Sequence, residues 1–124
     1  MRKTIAIGVA CALLIPVAAS AMTVAEFLGK ADALKAKGLL AVGSPDIALL
    51  RQEIMRASDA YRGGLAAQIA AGKKPSSCPP RKGTAKVSSD DIIADFRALP
   101  PARQRASVQD AFAAFMSKRY PCKG

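Results

Sequence analysis

Apolar residues recur at helical spacing through most of this chain, and no stretch alternates apolar and polar positions over the length of a strand. The pattern predicts an all-α protein with four main helices. The first runs from Met22 to Lys37, with Phe27, Leu28, Ala31, Leu34 and Ala36 on its apolar side. Thr23-Val24-Ala25-Glu26 has the form of a capping box, in which Thr23 covers an amide at Glu26 and Glu26 reaches back. Lys35 and Lys37 suit the negative end of that helix, and Gly38 is a left-handed stop. The second helix opens at Ser44-Pro45, a cap followed by a proline at the first helical position. Ile47, Leu50, Ile54, Tyr61, Leu65 and Ile69 form its apolar stripe, and Gly72 stops it after Ala71. The third is capped by Ser88, carries Asp90 and Asp91 on its positive first turn, and directs Ile92, Ile93, Phe96 and Leu99 to the core. Leu99-Pro100-Pro101 ends it, because a residue before proline avoids the helical region. The fourth carries Val108, Ala111, Phe112, Phe115 and Met116 and ends at Pro121. It starts either at Pro101 or, with Ser107 as cap, at Val108.

Three places in this pattern need a tertiary reason. Leu39-Leu40-Ala41-Val42 is too apolar for an idle connector and is expected to continue the core. Gly63-Gly64 interrupts the second helix at a cost of roughly 1 kcal/mol per glycine relative to alanine. Close approach of a neighbouring helix or a kink would account for it. Ser58 is the one polar member of the second stripe and is expected to hydrogen-bond its own helix backbone rather than to serve catalysis.

The first 21 residues read as a secretory signal peptide. Arg2 and Lys3 precede an apolar run from Thr4 to Val17, and Ala19-Ser20-Ala21 is a small-residue cleavage site. The run is short for a membrane span, and an uncleaved anchor is the alternative. Cleavage after Ala21 leaves residues 22–124 as one small domain with 17 basic and 9 acidic residues, a net charge of +8. It also leaves two cysteines, Cys78 and Cys122, with one possible pairing. Export favours a disulfide over two free thiols. The localisation expected is periplasmic.

The charge changes the picture less than its size suggests. The basic residues are spread along the chain, and the few aromatics fall on apolar helix faces, so a nucleic-acid partner is not expected. Envelope anions remain a possible partner class. Lys73, Lys74, Arg81 and Lys82 form the densest cationic stretch, in a Gly- and Pro-rich loop containing no acid. Binding residues concentrate on such loops when a scaffold holds them, so these four are the candidate partner-binding residues. No catalytic site is expected. The chain has no histidine, which excludes a Ser-His-Asp triad and the usual zinc-hydrolase ligands. It has no CxxC, no phosphate-cradling glycine loop and no dinucleotide fingerprint. No metal or cofactor is expected.

Within the stretch from Cys78 to Cys122, several short motifs recur together. They are Cys78-Pro79-Pro80, the capped helix from Ser89 to Phe96, Arg105-Ala106-Ser107-Val108, Ala114-Phe115 and the closing Tyr120-Pro121-Cys122. Tyr61-Arg62-Gly63 precedes them. This half of the chain resembles the Rap/Tai family, the periplasmic immunity proteins of type VI secretion amidase effectors. The resemblance implies a small helical domain, usually a homodimer, that binds and blocks a peptidoglycan amidase delivered by a neighbouring cell. A helical stress or chaperone-like protein without a dedicated effector is the alternative.

Overall fold

A computed structural model describes residues 21–123. The expected leader therefore lies outside the described residues, apart from Ala21. Four helices make up the fold: α1 (Val24–Lys37), α2 (Pro45–Ala70), α3 (Ser89–Ala98) and α4 (Val108–Arg119). Short 3₁₀ turns occupy Gly38–Ala41 and Arg103–Arg105. Among the described residues there is no strand, only an isolated antiparallel bridge between Thr23 and Ser107. No described helix is long and apolar enough to cross a membrane.

Local chemistry sets the helix starts. Thr23 and Glu26 close the capping box at α1, and Ser88 and Asp91 close a second one at α3. Ser44 accepts from the Asp46 amide with Pro45 beginning α2, and Ser107 accepts from the Asp110 amide at α4. Each cap satisfies an amide that has no partner inside its own helix. The fourth helix takes the later of its two possible starts: Pro100 and Pro101 lead into a turn, and Ser107 begins the helix. That start is tied to the beginning of α1. Val24 N–H donates to the Ala106 carbonyl at 2.9 Å, and Val108 N–H donates to Met22 at 2.9 Å.

α4 is the central element. It buries Val108, Ala111, Phe112, Phe115 and Met116 and packs mainly along α2, with α1 and α3 completing the core. Phe96 is wholly buried and meets Phe27 edge-on, with ring centroids 5.6 Å apart. Tyr61 meets Phe112 edge-on at 6.1 Å. Such edge-to-face pairs add about 1 kcal/mol to what area burial alone contributes. α3 is held to α4 by charge as well. Asp91 and Asp95, like charges one turn apart, face Arg119 at 3.7 Å and Lys118 at 2.6 Å.

The fold departs from the sequence pattern in four places. Leu39, Leu40 and Val42 do not continue the core. They are exposed, and only Ala41 turns inward. The cause is the pair of positive-φ glycines that bracket them, Gly38 and Gly43, which swing the short turn away from the bundle. Gly63 and Gly64 are exposed on an unbroken helix, and a Cβ on either would meet nothing within 4 Å, so no neighbouring helix requires them. The buried stripe of α2 is Glu53, Ala57, Tyr61 and Leu65, one residue every turn. Ile47 and Ile69 face solvent, while Leu50 and Ile54 pack at the edge of the core. Glu53 keeps its carboxylate oxygens in contact with water, since no fully buried side-chain oxygen or nitrogen lacks a partner. Ser58 is half-buried and makes no side-chain hydrogen bond among the described residues.

Candidate functional site

The expected cationic loop follows α2. The helix ends where Gly72 takes φ 74° and Lys73 N–H returns to the Gln68 carbonyl at 2.9 Å. From there the chain runs back along α2 and is fastened to it repeatedly. Gln68 grips Ser76 twice: its Oε1 accepts from the Ser76 amide at 2.7 Å, and its Nε2 donates to Ser76 Oγ at 3.2 Å. Arg62 donates to the Pro80 carbonyl at 3.2 Å, and Asp59 accepts from Lys82 at 3.3 Å. At the far end Arg119 donates to the Lys86 carbonyl at 2.8 Å.

The strongest anchor is buried. Ser77 is 1% exposed, and its Oγ lies 2.6 Å from the Tyr61 hydroxyl and 2.9 Å from the Tyr120 carbonyl. A carbonyl can only accept, so Ser77 donates to Tyr120 and Tyr61 donates to Ser77. The next residue adds a further bond to the same carbonyl, from Cys78 N–H at 2.8 Å. Cys78 then joins Cys122 in a disulfide, with Cα atoms 4.9 Å apart. The expected bridge is therefore present, and it ties the loop to the segment that follows α4. Two residues of the Tyr61-Arg62-Gly63 motif serve this clamp directly: Tyr61 through Ser77, and Arg62 through Pro80.

The four candidate residues are all exposed, but they do not form one patch. Lys73 and Lys74 sit at the C-terminal end of α2, next to Gln68. Arg81 and Lys82 lie at the level of Asp59, roughly 14 Å back along the helix at 1.5 Å per residue. Lys82 pairs with Asp59, in an exposed pair of small energetic consequence. Lys73, Lys74 and Arg81 make no ion pair among the described residues. The loop thus presents a line of cations on a fixed backbone. Sequence reasoning missed the residues that fix it, Gln68, Ser77 and Asp59, because each acts across a distance that local spacing does not encode.

A second feature corresponds to no motif in the sequence. An open groove of about 390 Å³ lies between α1, α2 and α3. Phe27, Leu34, Leu50, Ile54, Ile92 and Ile93 line it, with Arg51 and Ser89 as its polar members. No carboxylate lines the groove, so it offers apolar contact and one cation rather than acid–base chemistry. Among the described residues no group of three His, Cys, Asp or Glu side chains is placed to hold a metal ion.

Comparison of the chain with protein-family models, with curated proteins and with solved structures returns no match.

Proposed function

We propose that this is an exported, periplasmic immunity-like protein that binds a peptidoglycan amidase effector and blocks it by occlusion, without catalysis of its own. The observation that carries the reading is the clamped cationic loop. A surface that must plug a preformed cleft works best when its backbone is already ordered, because less conformational entropy is lost on binding. The loop from Lys73 to Lys86 is ordered by Gln68, Ser77, Arg62, Arg119 and the disulfide. The resemblance in the Cys78–Cys122 stretch supplies the partner class and the homodimer that goes with it.

The test is to titrate the purified protein into a secreted peptidoglycan amidase and follow cell-wall hydrolysis. Hydrolysis should stop near stoichiometric protein, and K73E/K74E/R81E should relieve the block while leaving the helical content unchanged. Full hydrolysis at excess wild-type protein removes the reading.

The open groove favours a second reading, a chaperone-like helical protein that holds apolar segments of unfolded clients. Suppression of aggregation of several unrelated clients, with no effect on the amidase, would select it over the first.

A further inference from the structure

The turn after α1 carries aliphatic side chains that the fold does not use. Leu39 is 91% exposed, Leu40 86% and Val42 81%, while Ala41 between them is buried and anchors the turn. A Cβ on Gly38 or Gly43, at its two ends, would meet nothing within 4 Å. Three large aliphatic side chains exposed within four residues, at the tip of one turn, are not a scatter of single exposed residues. They mark a contact surface. None of the three lines the groove between α1, α2 and α3.

The charges beside the tip say what it contacts. Lys35 and Lys37 occupy the last turn of α1, immediately before the tip, and both are exposed. The five ion pairs of the described residues involve Lys30, Lys82, Arg97, Lys118 and Arg119, so neither lysine is paired among them. Asp32, the acid nearest Lys35 along α1, already accepts two hydrogen bonds from Arg97. Asp46, the next acid along the chain beyond the tip, pairs with Lys30 at 3.6 Å, so the tip is apolar at its end and cationic at its base. That is the arrangement of an interfacial anchor, in which aliphatic side chains enter the acyl boundary and lysine stems reach back to phosphates. A net charge of +8 on residues 22–124 favours an anionic surface.

We propose that the Gly38–Gly43 turn docks the protein on an anionic lipid bilayer, with Leu39, Leu40 and Val42 inserted and Lys35 and Lys37 on head-group phosphates. This goes beyond the inhibitory reading and does not depend on it.

The chain contains no tryptophan, so L40W places the only indole at the tip. The full-length protein carrying L40W is mixed with vesicles of phosphatidylglycerol and phosphatidylcholine, or of phosphatidylcholine alone, with and without brominated acyl chains. With anionic vesicles the emission moves to the blue and bromine quenches it; with phosphatidylcholine alone it stays near its value in buffer. Because the signal comes from residue 40, it reports the tip whatever the leader does. K35Q/K37Q on this background weakens the association about thirtyfold, taking about a tenfold factor per 1.4 kcal/mol and about 1 kcal/mol for each lysine at such a surface. L39W, read the same way, guards against a local effect of one substitution. Emission from both tryptophan variants that anionic vesicles leave unmoved overturns the proposal. So does a blue shift that rises with protein concentration in the absence of lipid, which would make the tip a contact between copies of this chain.

Discussion

Changing Cys78 and Cys122 together to alanine removes a cross-link between residues 44 positions apart. In the chain-entropy description, closing a loop of that length stabilises the folded state by about 4 kcal/mol, almost entirely by restricting the unfolded chain. The folded structure around the bridge supports that assignment. Both half-cystines are at the surface, so alanine leaves no core cavity. The segments they join are also held without the bridge, by Cys78 N–H and Ser77 Oγ on the Tyr120 carbonyl at 2.8 and 2.9 Å. The double variant should therefore fold to the same structure and lose most of the 4 kcal/mol. In a domain of this size 1 kcal/mol corresponds to about 4 °C, so the melting temperature should fall by roughly 15 °C. Urea denaturation of the oxidised protein and of the double variant, followed by far-ultraviolet circular dichroism, gives the free energy directly. A loss below about 1 kcal/mol would refute the entropic account. An altered native spectrum would refute the claim that the hydrogen bonds suffice to hold the clamp.

Ser77→Ala leaves the buried Tyr61 hydroxyl without its acceptor, and the loss expected is about 1–3 kcal/mol by the same denaturation assay. Tyr61→Phe on the S77A background should recover part of it. Gly63→Ala and Gly64→Ala should each stabilise the protein by about 0.5–1 kcal/mol, because the helical backbone is ordinary and the added methyl meets open space; a loss of stability would show an unrecognised packing requirement. Asp32 is held below its ordinary pKa, first by its hydrogen bonds from Arg97, and Asp91 is held below its own, first by the Ser88 amide and hydroxyl. A carboxylate with a lowered folded pKa adds stability above its unfolded value and loses it as the pH falls through the folded one. The midpoint gap between wild type and D32N/D91N should thus be full at neutral pH and close below about pH 4; a gap independent of pH would exclude these pairs as its source.

How much of this was legible in the chain depends on how local the determinants are. Thr23, Ser44 and Ser88 announce helix starts because a cap works through amides two or three residues away. Gly38 and Gly72 announce ends for the same reason. The phase of α2 was less legible. Its N-terminal half borders the open groove, so Leu50 and Ile54 sit at a margin and Ile47 is exposed, although their spacing matches a core face. Hydropathy carries no direction, which is why Leu39-Leu40-Ala41-Val42 read as core when two glycines turn it outward. The cationic stretch was dense in sequence but is drawn out along α2, because Gln68 and Asp59 take hold of it at separate levels. The disulfide was legible from cysteine number and the expected export. Ser77, which holds the same point from inside, carries no sequence signal at all.

Asp91 and Asp95 of α3 have a consequence for how the protein comes apart. A ten-residue helix is too short to persist alone in water, and like charges one turn apart weaken it further. Their neutralising partners, Lys118 and Arg119, lie at the far end of α4. α3 therefore gains its charge balance only when α4 is docked to its last turn, and neither should survive as an independent folded segment. Backbone amides of the two helices should exchange with solvent as a single cooperative unit, opening together near the limit set by global unfolding, while the outward turn at Gly38–Gly43 exchanges freely.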